Sequence, residues 1–159
     1  MSRLRARWRQ LGHLARRFTG SLSSRSPDLA QEAWAESQLL PSEVDLWRRM
    51  ANQDRRHAIT VAHRFEAVRS GAASRAETAG ALLHDVGKVD AGLGTFGRVV
   101  ATLTPPRWRR GRYERYHRHE AIGAEWCQRA GSDPVTVALV AGAGGEPDLL
   151  AALRAADDI

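Results

Sequence analysis

The chain is short of lysine, cysteine and long apolar runs, and each shortage narrows what it can be. One cysteine in 159 residues, Cys127, allows neither an internal disulfide framework nor a cysteine-rich zinc site. A half-buried helix position is the expectation for it. No apolar run approaches the roughly 20 residues that a bilayer span requires. The N-terminus is positively charged but lacks the continuous apolar stretch of a secretory signal. A cytoplasmic, reducing location follows as the expectation. With 43% hydrophobic residues, the chain has enough apolar surface for one core, and its length fits a single domain.

Acid is missing from residues 1–26, which hold seven arginines: Arg3, Arg5, Arg7, Arg9, Arg16, Arg17 and Arg25. Beyond them, 17 basic residues face 18 acidic ones, so the net charge of +6 belongs to this arm. Within it Leu4, Trp8, Leu11, Ala15, Phe18 and Leu22 recur every three or four residues, an apolar helical stripe flanked by arginine. Gly12 costs such a helix about 1 kcal/mol. The pattern suits an anionic membrane surface, with peripheral attachment at the inner membrane face, ahead of nucleic acid or an acidic partner. A stripe packed on the domain fits it equally. "TGSLSSRSP" closes the arm as a linker, dividing the chain into an arm at 1–26 and a domain at 27–159.

No stretch of the domain alternates with a period of two, and the start and stop signals predict successive helices. Ser26-Pro27 reads as the opening of a helix over 27–39, and Ser42 with Asp45 as a capping box for 43–50. Asn52 or Asp54 starts a helix through His57, Val61 and Phe65 to Gly71, and "SGAASRAE" reads as a loop. Residues 76–86 form a small-residue helix ended by Gly87. Further helices follow at 95–103, 119–130, 134–141 and 147–158, the last two opened by Asp133-Pro134 and Glu146-Pro147. The expected fold class is all-α, without internal repeats.

Against 23 arginines stands a single lysine, Lys88, in "GALLHDVGKV". His84 and Asp85 precede it at a helix end, where two neighbouring side chains can reach one point. A histidine nitrogen and a carboxylate oxygen make a mixed donor set suited to divalent Mn, Fe, Co, Ni or Zn. Further ligands must come from other helices. His57 shares its face with Val61 and Phe65 and points inward. His63, six positions on, lies on another side and is solvated. Asp157 and Asp158 end an apolar helix, where a buried carboxylate needs a cation or donor.

Taken in order, "DRRHAITVA", "ALLHDVGKV", "YHRHEAIGAEW" and "LRAADDI" resemble the HD-domain metal-dependent phosphohydrolase superfamily, here in a small bacterial form. The resemblance covers about residues 42–159 and implies a compact HD-type helical bundle. It implies His57, His84, Asp85 and Asp157 as ligands of a divalent ion, with magnesium added to the candidates. Asp157 is chosen over Asp158 because it follows the "AA" that the family places before its aspartate. His119, just before "E-x-x-G-A", is selected over His117 as a second-shell or second-metal residue. The implied activity is hydrolysis of a nucleotide-like or other small phosphate ester, with Asp85 and Lys88 catalytic. A compact ammonium at Lys88 faces the phosphate, a role that arginine's broad fork fills poorly. "RWRRGRYERYHRHE" offers further phosphate donors, Arg112 and Arg115 among them, or is a solvated charged loop. The chain departs from two-metal members in having no histidine after His119. That leaves a mononuclear hydrolase, or a catalytically weak domain that senses a phosphorylated ligand.

Overall fold

The computed structural model of the chain describes residues 25–69, 73–92, 111, 118–143 and 147–158. The arm's stripe, the 95–103 helix, Arg112, Arg115 and His117 lie outside the described residues. Among those described, every regular element is a helix and there is no strand, as the sequence predicts. We number them α1 (Leu29–Ser37), α2 (Pro41–Arg49), α3 (Asn52–Val68), α4 (Arg75–Leu83), α5 (Lys88–Ala91), α6 (His119–Arg129), α7 (Pro134–Val140) and α8 (Pro147–Asp157). None of the described helices is long and apolar enough to cross a membrane.

The core is organised around α4. Every residue from Glu77 to Leu83 is buried, so beyond Arg75 and Ala76 this helix has no solvent face. Its small residues make that possible by letting α3 and α7 pack on it from two sides. A Cβ at Gly80 would stand 2.8 Å from Leu139 Cδ1 and 2.9 Å from Leu139 Cβ, so α7 occupies the space a side chain would need. In turn α3 packs against α8, and α7 against α6. Phe65, Ile59, Leu82, Leu83, Val86 and Val140 fill the space between them.

Several helix starts differ from the sequence reading. Asp28, not Ser26, caps α1, its Oδ1 accepting the Gln31 amide at 2.8 Å, and Pro27 stays outside the helix. The Ser42–Asp45 box does not form. Leu40 precedes α2, its amide donating to Glu43 Oε2 at 2.7 Å, while Ser42 Oγ donates to the distant Ala130 carbonyl at 2.6 Å. The true box lies inside the expected loop. Glu77 Oε2 accepts the Ser74 amide at 2.6 Å, and Ser74 Oγ accepts the Glu77 amide at 3.3 Å. These three corrections have one cause, that short polar side chains offer several competing local partners and tertiary packing selects among them. Asp133 behaves as read, its Oδ1 accepting the Val135 amide at 2.8 Å. Gly131, at φ +73°, ends α6. Cys127 is fully rather than half buried, and burial pushes its thiol up to about 11.

Candidate metal centre

The helix expected over 76–86 stops earlier, at Leu83, and residues 84–87 turn before α5 begins. This turn carries the His-Asp pair. Gly87 does not end a helix by a left-handed conformation, for its φ is −65°. Its role is steric. A Cβ there would stand 1.9 Å from the His119 carbonyl oxygen and 2.8 Å from the Gly123 amide nitrogen. His119 and Gly123 are four residues apart on α6 and therefore share a face. Gly123 is close as well, though less so, 3.1 Å separating its would-be Cβ from the Gly87 nitrogen. Two glycines thus let α6 lie directly on the turn, which brings His119 Nε2 to 3.6 Å from Asp85 Oδ1.

Three chain segments converge at the centre. Residue 57 of α3 and residue 157 at the end of α8 meet, with His57 Nε2 donating to Asp157 Oδ1 at 2.8 Å. His84 joins them from the turn, its ring centroid 5.8 Å from that of His57. One ligand atom from each of His57, His84 and Asp157 lies within 4.8 Å of the other two, a spacing at which the three could hold a metal ion. Asp85 falls outside that cluster but beside it, with Oδ2 3.5 Å from His84 Nε2. Lys88 Nζ is ion-paired with the same oxygen. The structure therefore gathers His57, His84 and Asp157, sets Asp85 at their edge, and pairs Lys88 with Asp85. Asp158 is exposed, and so is His63, stacked on Trp34 at 3.9 Å between centroids.

The tautomer of His84 follows from geometry. Its Nδ1 lies 2.8 Å from the Ala81 carbonyl oxygen, which can only accept, so Nδ1 carries the proton. In the neutral ring Nε2 is then a bare lone pair. It is buried without a hydrogen-bond partner and faces Asp85 Oδ2 at 3.5 Å and Asp157 Oδ1 at 3.9 Å. The Lys88 ammonium sits on Asp85 Oδ2 and the His57 N–H on Asp157 Oδ1, so of the three converging atoms His84 Nε2 is the one left without a hydrogen-bond partner, and a cation or a second ring proton fits it. A backbone carbonyl on the far nitrogen also orients metal-binding histidines in general. The donor set fits a divalent ion on both counts. Sequence reasoning missed the Ala81 contact, although a carbonyl three residues back is the nearest acceptor at a helix end. It also missed Gly123, whose signal was its spacing from His119.

Charge at the site is finely opposed. Burial pushes the Asp85 carboxyl up, but His84, Lys88 and His119 together outweigh it and hold the group far below the usual carboxylate range. Burial likewise raises Asp157, and the His57 hydrogen bond with the charges of His84 and His57 overcomes it. Folded values below the ordinary 3.8 mean that the unfolded chain takes up protons first. These carboxylates therefore stabilise the fold above that pH, and the contribution disappears as the pH falls through their folded values. Asp85→Asn should flatten the loss of stability between about pH 5 and pH 2, read as urea midpoints. A variant losing as much as the wild type over that window would contradict this account.

No protein-family model matches the chain, and neither a curated protein nor a solved structure matches it significantly. The functional reading therefore rests on the site itself.

Proposed function

We propose that the chain is a metal-dependent phosphohydrolase of HD type with a mononuclear centre, acting on a nucleotide-like or other small phosphate ester. The observation that carries the reading is His84 Nε2, a buried lone pair without a partner, aimed between two carboxylates. His57, His84 and Asp157 would hold the ion, with Asp85 beside them. Two imidazoles and a carboxylate favour Mn, Fe, Co, Ni or Zn over magnesium. A divalent ion in this position supplies an acidified water and charge neutralisation for attack on phosphorus. The chain's own residues do the rest. Ala81 and Asp157 orient the two imidazoles, and the His57 proton shared with Asp157 must leave before that nitrogen can act as a ligand. Lys88 offers an ammonium to a phosphoryl oxygen.

A second reading, a catalytically weak domain that binds a phosphorylated ligand, has one observation in its favour. No histidine follows His119, so a second ion would lack the later ligands of two-metal relatives. Metal analysis followed by a screen of phosphate monoesters and nucleotides separates the two. Turnover that drops by about 100-fold or more in Asp85→Ala supports the hydrolase. A metal-replete protein inert on every phosphate ester leaves the ligand-binding reading in its place.

A further inference from the structure

Asp85 is only 5% exposed, and although the Asp157 carboxylate lies near enough to repel it, the charged groups within 4 Å of its oxygens are basic. His84 and Lys88 flank Oδ2, and His119 faces Oδ1. A buried carboxylate in such surroundings is never left without a cation, and the one now on Oδ2 is the side chain three residues along the same turn. Two donors on one ion at metal–ligand distances of about 2.0–2.2 Å lie roughly 3.0–3.5 Å apart. The 3.5 Å between Asp85 Oδ2 and His84 Nε2 already meets that spacing. Asp85 is thus placed to serve the same centre as His84, and Lys88 is paired with the oxygen that would do so.

The geometry points to Lys88 as an exchangeable counter-ion on Asp85, which an oxyanion draws away so that oxyanion and divalent cation bind cooperatively. The inference rests on the metal reading above and adds to it an order of events. A metal ion and an ammonium on one carboxylate oxygen repel each other, so in the absence of an anion each weakens the other's hold. An incoming phosphate takes over the ammonium, the oxygen is released, and the ion gains a ligand. By linkage, the metal strengthens phosphate binding by the same factor. The flexible stem and point charge of lysine suit a group that must change partners. An arginine in this place would hold its carboxylate through a fork and give it up less readily. The single lysine of the chain stands at a position where that difference matters.

Titration calorimetry of the full-length protein with Mn²⁺, with and without saturating inorganic phosphate, tests this. In the wild type phosphate should tighten Mn²⁺ binding by about 10-fold. Lys88→Gln keeps a hydrogen-bond donor for the buried carboxylate but removes the charge. It should bind Mn²⁺ about 10-fold more tightly than the wild type when phosphate is absent, with the effect of phosphate reduced to about 2-fold. Lys88→Arg keeps the charge and grips the carboxylate more firmly, so its phosphate-free Mn²⁺ affinity should be no higher than the wild type's and phosphate should tighten it by less, an order that a purely structural role for residue 88 does not require. Equal Mn²⁺ affinities in the wild type and Lys88→Gln, or an equal effect of phosphate in both, overturns the exchange while leaving the metal centre intact. Absence of Mn²⁺ binding in all three proteins removes the metal reading and this inference with it.

Discussion

Gly87→Ala should cost the fold about 3 kcal/mol or more, the upper end of what overpacking does. The methyl group would be placed 1.9 Å from the His119 carbonyl oxygen, well inside van der Waals contact with a backbone atom. No rotamer change relieves such a clash, so α6 must move away from the His-Asp turn. Gly80→Ala provides the comparison. Its nearest neighbour, Leu139 Cδ1 at 2.8 Å, belongs to a side chain that can swing aside, although Leu139 Cβ at 2.9 Å cannot. The expected order is therefore Gly87→Ala worse than Gly80→Ala, read from urea midpoints. Any Gly87→Ala protein that still folds should also have lost the approach of His119 to Asp85. Equal midpoints for Gly87→Ala and the wild type would mean that α6 does not lie against the turn.

The identity of Gly87 was thus legible in the sequence while its reason was not. A glycine after an apolar helical run reads as a helix end, because left-handed backbone is the commonest local use of that residue. Close approach of a second helix is a tertiary fact, and it depends on Gly123 36 residues later. The same division holds elsewhere. His57 was placed on the inward face by its spacing from Val61 and Phe65, and α3 carries it to Asp157, a meeting that the spacing alone does not imply. Asp133-Pro134 and Gly131 worked because a cap and its first turn involve only neighbouring residues. Ser42 failed because its hydroxyl found the Ala130 carbonyl across the fold. Spacing could put His57 on an inward face and His84 at a helix end, whereas Asp157 was singled out only by the resemblance, through the "AA" that precedes it. Nothing local could say that Asp85 would be paired with Lys88 rather than turned fully into the cluster.

The second large effect concerns His84. Addition of Mn²⁺, Co²⁺ or Zn²⁺ at about 100 times its dissociation constant should stabilise the wild type by about 2.7 kcal/mol, a rise of roughly 5–15 °C in melting midpoint for a domain of this size. His84→Ala should abolish that rise. Its Nε2 lies between both carboxylates, 3.5 Å from Asp85 and 3.9 Å from Asp157, so removing the imidazole removes the donor that the two share as a neighbour. His63→Ala, an exposed imidazole on the same helix as His57 but on another side, should leave the rise unchanged. Two explanations of the bare Nε2 separate at this point. If a second ring proton rather than a metal ion occupies the space, His84 is an imidazolium held by two carboxylates. The wild type would then melt at the same temperature with or without divalent ions, and His84→Ala would lower that temperature equally under both conditions. A metal-dependent rise present in the wild type and in His63→Ala, and absent from His84→Ala, is the result that assigns the three converging groups to a divalent cation.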